Sequence, residues 1–431
     1  MTPLANLKDK IQHNTLLSKA AVVEAVYENF VITKGPVVAI GSIFEKRESK
    51  LKFEVVGIKG ESNVLMPLST SDELMRGDKL YPASNKIELP ENPYELLGNV
   101  LDAYGDSIEG YRFKNKVQWK SAGKPPSPLK RARIKEPIET KIKAIDGFLT
   151  IGRGQKIGIF AGTGVGKSTL LGLLAKQSTE DVNVIALIGE RGREVREFIE
   201  RELGEEGMKR SVVVVSTSDE SSLMQIKAAE LATRIAEEFR EKGKRVLLMM
   251  DSVTRYAMAR RVLDIANGDI PLAGGRTLGM EPSLQRLLER SGNNERGSIT
   301  GIYTVLVEND DFNGPIPDMA RGILDGHIVL TRRLADRNHF PAIDVLASVS
   351  RVMQEVVDEN HWQAARSIKK YLSIYNEIED QYNLGLIERG KDTEIDRSVL
   401  LNRSINELLR QDIKESYDKQ ETLQMMNDII R

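Results

Sequence analysis

The chain has 431 residues, 40% of them hydrophobic and 29% charged, so it is globular and long enough for two or three domains. Its 62 Lys+Arg and 63 Asp+Glu nearly cancel, which disfavours the basic surface of a nucleic-acid binder. It has no cysteine, which excludes disulfides and thiolate metal sites, and no apolar run of the ~18 residues that a membrane span needs, so we expect a cytoplasmic protein.

Residues 1–18 are polar except for a few aliphatic positions that include Leu4, Leu7 and Ile11. This spacing is typical of one face of a short helix. Two interpretations remain open for the segment. It is either a frayed terminus or an amphipathic handle that binds a partner protein.

Residues 19–95 contain short β-rich runs broken by glycine and charge, which predict a small β-barrel or sandwich. The predicted strands are Val22–Tyr27, Val37–Ile40, Phe53–Val56 and Val64–Met66. The few aromatic residues are not clustered as a nucleic-acid-binding barrel would require. A structural or subunit-contact role is therefore favoured.

Residues 96–143 are predicted to form a linker, because the stretch 111–143 holds eleven Lys/Arg, two Asp/Glu and the sequence Pro125-Pro126-Ser127-Pro128. Such a charge run is usually a solvated face. The alternative is a contact with anionic lipid or with an acidic partner.

Residues 144–353 alternate apolar runs with helical stretches, as in a doubly wound α/β domain. The predicted strands are Lys156–Phe160, Val182–Ile188, Val212–Val215, Val246–Met250, Ser298–Leu306, His327–Thr331 and Ile343–Ala347. Residues 354–431 are charged and helix-forming, which predicts a small C-terminal helical domain. Its apolar stripe comprises Leu401, Ile405, Leu408, Leu409 and Ile413.

A phosphate-binding loop follows the first of these strands and opens a helix predicted over Ser168–Leu174. Its residues are Gly162, Thr163, Gly164, Val165, Gly166, Lys167, Ser168 and Thr169. The glycines let backbone N–H groups surround phosphate oxygens, Lys167 reaches the β- and γ-phosphates, and Ser168 ligates Mg²⁺. Ala161 stands where the strict pattern has glycine.

Two carboxylates complete the predicted ATPase site. Asp251 ends the apolar strand after Val246, which makes it the favoured magnesium carboxylate. Glu190 leaves the end of strand Val182–Ile188, where a group that orients the attacking water belongs. A generic surface turn would have the same sequence pattern. The assignment of Glu190 as the water-orienting group therefore depends on its position and on the resemblance described below.

The chain resembles the flagellar and type III secretion export ATPases, which are relatives of the catalytic subunit of rotary ATP synthases. The stretches that carry the resemblance are Arg153–Gly162, Asp251–Ala257, Ile323–Leu330, Phe340–Asp344 and Ser348–Arg351. The implied fold is α/β: a RecA-like P-loop ATPase core with an N-terminal β-barrel and a C-terminal helical domain.

The resemblance also implies a homo-hexamer with nucleotide sites between subunits. In that family Glu190 would activate water, Arg191 and Arg255 would lie close to the phosphates, and Phe340 would pack on adenine. Arg351 would be an arginine finger that reaches the neighbouring subunit. The implied partners are a stator-like regulatory protein at the N-terminus, export-gate proteins and chaperone or substrate proteins, with peripheral contact at the inner membrane.

Three alternatives share this core. An injectisome ATPase differs from a flagellar one by its pathway, although Ile159-Phe160-Ala161 before the loop looks more flagellar. A rotary synthase subunit would have a longer C-terminal domain with an acidic shaft-contact loop. A hexameric RNA translocase would need base-stacking aromatics in the barrel.

Overall fold

The computed structural model describes residues 20–36, 38–69, 74–84, 87–119, 125–307, 311–312, 314–388 and 390–431. It contains a closed barrel, a mainly parallel sheet covered by helices, and a group of C-terminal helices. The predicted fold class is confirmed. The predicted domain limits stay predictions, and residues 1–18 lie outside the described ranges.

Six antiparallel strands form the barrel in the order β1-β2-β5-β4-β3-β6, and β6 pairs with β1 to close it. The strands are β1 (Ala21–Val26), β2 (Val31–Lys34), β3 (Ile43–Lys46), β4 (Leu51–Lys59), β5 (Ser62–Pro67) and β6 (Lys79–Ala83). Buried Phe44, Phe53 and Leu65 fill the interior. Closure leaves no free edge to pair with another chain.

The predicted strand Val37–Ile40 is wrong for its described part. Residues 38–40 lead into a tight turn in which the Ser42 N–H donates to the Ala39 carbonyl (3.1 Å). Gly41 has a φ of +89°, and Ile40 is 66% exposed. An apolar run was therefore mistaken for a strand where the chain turns into β3.

The central sheet has the order β17-β16-β10-β15-β13-β11-β12-β8, with β14 paired to β15. All neighbours are parallel except β16 with β17 and β14 with β15. Its strands are β8 (Val100–Leu101), β10 (Lys156–Ala161), β11 (Val182–Glu190), β12 (Ser211–Thr217), β13 (Arg245–Asp251), β14 (Gly292–Asn293), β15 (Ser298–Leu306), β16 (Gly326–Leu330) and β17 (Val349–Ser350). A separate ribbon pairs β7 (Glu88–Pro90) with β9 (Lys116–Gln118). Residues of the predicted linker thus add β8 to the sheet edge.

Helices cover both faces of this sheet. They are α1 (Lys143–Phe148), α2 (Lys167–Gln177), α3 (Gly192–Glu197), α4 (Gly204–Lys209), α5 (Ser222–Glu241), α6 (Val253–Ala266), α7 (Met280–Leu288), α8 (Pro315–Ile323), α9 (Arg332–Asp336) and α10 (Met353–Val356). A π-helical segment, Phe198–Leu203, joins α3 to α4. Buried apolar clusters on each side of the sheet bind these helices to it.

The predicted strand Ile343–Ala347 is also wrong. Only Ile343 forms an isolated bridge, and the chain then turns because the Asp344 carboxylate accepts from the N–H groups of Leu346 and Ala347 (3.0 Å each). Local side-chain hydrogen bonds of this kind compete with strand pairing. The strand that follows, β17, is short.

The C-terminal helices are α11 (Glu359–Asn383), α12 (Thr393–Leu409) and α13 (Lys419–Ile430). Ile405, Leu408 and Leu409 are buried, as the apolar stripe predicts, whereas Ile413 lies beyond α12 and is 56% exposed. Contacts with α1 bind these helices to the core, and the Thr422 and Met426 side chains lie against Gly147. Within the described ranges, no helix has the length and apolarity required to cross a membrane.

Candidate nucleotide-binding and catalytic site

The phosphate-binding loop leaves the carboxyl end of β10, a fully buried strand between β15 and β16. Ala161 is the last residue of that strand and pairs with both neighbours, so its methyl group replaces the usual glycine inside the sheet. Gly164 and Gly166 have φ of +78° and +93°, a region that strongly favours glycine. Helix α2 then begins at Lys167 and directs its N-terminal N–H groups toward the loop.

Three predicted side chains meet at this edge of the sheet. Lys167 Nζ lies 2.6 Å from Asp251 Oδ1 and 3.6 Å from Glu190 Oε1. The side chain of Lys167 is 13% exposed, that of Asp251 5% and that of Glu190 16%. Their charges therefore interact with little screening by water. They come together because β10, β13 and β11 are parallel and their carboxyl ends share one edge.

The electrostatic environment of this cluster makes the Glu190 carboxylate more basic than usual. Burial, followed by the charge of Asp251, raises the pKa of Glu190 to about 7, although Lys167 opposes the shift. Burial alone would lower the pKa of Lys167, but the charges of Asp251 and Glu190 outweigh it and raise that pKa. Lys167 is therefore a fixed cation, and Glu190 can exchange a proton near neutral pH.

The oxygen ligands at the loop fit Mg²⁺. Ser168 lies in the first turn of α2 with its side chain accessible, and Asp251 offers a carboxylate on the same edge. The described residues contain no group of three or more His, Cys, Asp or Glu that could hold a metal alone. Such a donor set suits Mg²⁺, which binds one or two protein oxygens together with phosphates and water.

Sequence reasoning missed Thr304, which holds Asp251 in place. The Thr304 hydroxyl donates to Asp251 Oδ1 (2.6 Å) from the neighbouring strand β15. In the sequence it is one of four hydroxyl residues in strand β15, and nothing distinguishes it from the other three. The position of that hydroxyl opposite Asp251 depends on strand register, which the sequence does not reveal.

Phe340 lines a cavity of about 200 Å³ beside the loop. The other walls come from the loop and α2, from Leu330, Pro341 and Ala342, and from Gln411 and Ile413 after α12. Phe340 is 42% exposed and lies close to Gly166. A mainly apolar cavity with an aromatic wall next to a phosphate loop is suited to stacking a nucleotide base.

The remaining predicted residues of the loop region differ in placement. Arg255 packs its aliphatic stem against Gly189, next to Glu190. Arg191 is 81% exposed and lies 3.6 Å from Glu194, so it is not part of the cluster in this structure. The Thr169 hydroxyl donates to Glu202 (3.1 Å) in the π-helical segment, another contact that the sequence did not reveal.

Arg351 lies at the opposite edge of the sheet. Its N–H donates to the carbonyl of Asp325 (3.1 Å), whose N–H donates to the carbonyl of Lys156 (2.8 Å) at the amino end of β10. The phosphate loop begins at the other end of that strand, roughly 16 Å away at 3.3 Å per residue. The exposed Arg351 side chain is too short to reach the loop of its own subunit.

Known proteins resemble this chain in both sequence and fold. The family model described as "ATP synthase alpha/beta family, nucleotide-binding domain" matches residues 141–350, and "T3SS EscN ATPase C-terminal domain" matches residues 357–428. The "Flagellum-specific ATP synthase" of Bacillus subtilis is 45% identical over 416 residues, which cover 95% of each chain.

Two further relatives have different names. The "Flagellum-specific ATP synthase" of Pseudomonas aeruginosa is 46% identical, with 85% of this chain and 82% of the relative covered. The "SPI-2 type 3 secretion system ATPase" of Salmonella typhimurium is 44% identical, with 88% and 87% covered.

Solved structures agree with these relatives. The assembled ATPase EscN of the enteropathogenic E. coli type III secretion system is 40% identical, with a TM-score of 0.90 over 95% of this chain and 100% of that chain. EscN in complex with its central stalk EscO has a TM-score of 0.86 at 39% identity, with the same coverage. With this similarity along nearly the whole chain and a phosphate loop facing two carboxylates, the chain belongs to the family of flagellum-specific and type III secretion export ATPases.

Proposed function

We propose that this chain hydrolyses MgATP in a ring of six copies and thereby energises protein export for flagellum assembly. The observation that carries the proposal is the cluster of Lys167, Glu190 and Asp251 at the phosphate loop. It offers a cation for the phosphates, a basic carboxylate and a metal-binding carboxylate within one small region.

In the proposed reaction the loop N–H groups and Lys167 bind the β- and γ-phosphates, which replace the carboxylates as the partners of the ammonium group. Glu190 accepts a proton from water as the oxygen of that water attacks the γ-phosphorus, and ADP leaves. Ser168 and Asp251 would hold Mg²⁺, which neutralises charge on the phosphates. Thr304 keeps Asp251 oriented for this task.

We propose that Arg351 completes the site of the neighbouring subunit. Its position at the amino edge of the sheet supports this role, because the loop of its own subunit is out of reach. The guanidinium would stabilise the charge that develops on the phosphoryl group during transfer. Phe340 would stack on the base, with Ile413 forming part of the same apolar cavity.

The flagellar pathway is proposed over the injectisome pathway because of Ile159-Phe160-Ala161 before the loop and the flagellum-specific relatives. Deleting the gene in its own organism should abolish flagellar filaments. Wild-type protein should restore them, and Lys167→Ala protein should not. Intact filaments together with loss of an injectisome-dependent secretion would assign the protein to the other pathway.

The proposed partners are a stator-like regulatory protein at residues 1–18, export-gate proteins and chaperone or substrate proteins. We also propose a cytoplasmic location with peripheral attachment to the inner membrane, to which the basic stretch 111–143 would contribute. Removing residues 1–18 should keep ATPase activity, since the phosphate loop lies far downstream, but should weaken co-purification of the regulatory protein. Unchanged co-purification would contradict this assignment.

A further inference from the structure

The segment 410–418 connects α12 to α13 and supplies one wall of the base cavity through Gln411 and Ile413. Gln411 is only 8% exposed, although it lies in a connection between helices. Its backbone N–H donates to the carbonyl of Phe340 (2.9 Å), which lines the same cavity. The two walls are therefore joined directly.

The side-chain amide of Gln411 makes three more hydrogen bonds. Its oxygen accepts from the Lys143 N–H (2.9 Å), and its nitrogen donates to the carbonyls of Lys141 (2.8 Å) and Glu415 (3.1 Å). Lys141 has a φ of +59°, which is unfavourable for a residue with a side chain. The Gln411 side chain thus fixes the start of α1 and the connecting segment, and the Gln411 backbone N–H fixes Phe340.

Both N–H donors of the Gln411 amide are occupied by these carbonyls, so neither is left to read the edge of a base. Apart from its own place in the cavity wall, its influence on a nucleotide comes through the position of Phe340 and Ile413. We infer that Gln411 is a positioning residue that couples the C-terminal helices to base binding. The inference rests on the proposed role of Phe340 as the stacking ring.

The test compares Gln411→Met, which removes all three amide hydrogen bonds at similar volume, with Gln177→Met. Gln177 Nε2 also donates to the Glu415 carbonyl (3.3 Å) but does not line the base cavity, so this variant is a matched control. Steady-state kinetics give KM and kcat for MgATP. Competition with magnesium tripolyphosphate, which has no base, measures phosphate binding separately, and thermal melting follows the fold.

For Gln411→Met we expect KM for ATP to rise about tenfold, within the range that one base–aromatic stack contributes. The kcat and the inhibition constant of tripolyphosphate should stay near wild type, and Gln177→Met should leave KM unchanged. If Gln411→Met does not fold, Gln411→Glu is measured in the same way, because it keeps the acceptor for the Lys143 N–H while losing both donors.

Phe340→Ala separates the inference from the proposed function. A raised KM for Phe340→Ala with an unchanged KM for the Gln411 variants would overturn the inference alone. An unchanged KM for Phe340→Ala would overturn both the stacking role and the inference. Equal losses of ATP and tripolyphosphate binding would show that Gln411 only supports the fold, and would also overturn it.

Discussion

The pKa of Glu190, raised to about 7, predicts how turnover depends on pH. Below this pKa the carboxyl group is neutral and cannot accept a proton from water, so activity should be lost as pH falls if Glu190 is the base, as proposed. With a pKa of about 7, the ionised fraction rises roughly tenfold between pH 6 and pH 8, and kcat/KM should rise by about the same factor. This parameter reports the free enzyme, which is the state described here.

Glu194→Gln provides the perturbation that tests the cause. After burial and Asp251, Glu194 is a further group that raises the pKa of Glu190, and it lies outside the Lys167 cluster. Replacing it should lower the pKa of Glu190 and move the acid limb of the kcat/KM profile to lower pH. ATP titrates identically for both proteins, so the difference between their profiles belongs to the enzyme.

The assay measures initial rates of phosphate release across pH 5.5–9 at excess magnesium, with melting temperatures recorded at each pH. Superimposable profiles for wild type and Glu194→Gln, with both proteins folded, would refute the reasoning. So would a kcat/KM that stays nearly constant down to pH 5.5, as the ordinary glutamate pKa of about 4.3 would give.

Three other predictions concern the site and its support. Lys167→Ala should abolish turnover by removing the loop cation, whereas Glu190→Gln should bind ATP almost normally and hydrolyse it very slowly in single-turnover assays. Arg351→Ala should lose about 10³-fold or more in rate, and rings mixed from Arg351→Ala and Lys167→Ala subunits should regain activity, measured after co-purification of two tags. Gly172→Ala should lower the free energy of unfolding by about 1–3 kcal/mol in denaturant titrations, because its Cβ would lie 2.7 Å from the Glu202 carbonyl oxygen.

Each of these has a control or a contrary result. Substantial turnover by Glu190→Gln would remove Glu190 from the role of base. Verified mixed rings that stay inactive would show that Arg351 does not act on the neighbouring subunit. Gly322→Ala is the matched control for the glycine variant, since no atom lies within 4 Å of its added Cβ, and it should leave stability unchanged or slightly increased.

Much of the site could be predicted because it depends on local patterns. Apolar strands that end in Glu190 and Asp251 and in a glycine-rich loop bring those residues to one edge whenever the strands are parallel. The structure has this arrangement, although the catalytic roles stay predictions. Thr304 and Gln411 were missed because their contacts depend on strand register and on a segment more than 200 residues away.

The errors in the fold have a related cause. Val37–Ile40 and Ile343–Ala347 are apolar enough for strands, but in the described residues the chain turns there through local hydrogen bonds that periodicity does not detect. The opposite error concerns Val100–Leu101. This segment is too short to predict as a strand, and yet it pairs with β12. Tertiary pairing decides such short segments.

The placement of Arg351 at the amino edge, away from its own phosphate loop, bears on how much ATP unassembled subunits consume. If Arg351 acts on the neighbouring subunit, as we propose, a subunit that lacks a neighbour has an incomplete site, and newly made or dispersed copies would consume almost no ATP. Specific activity should then climb steeply with protein concentration, as assembly proceeds, and fall on dilution. Ring assembly at the export machinery would then activate ATP hydrolysis at the place where export occurs.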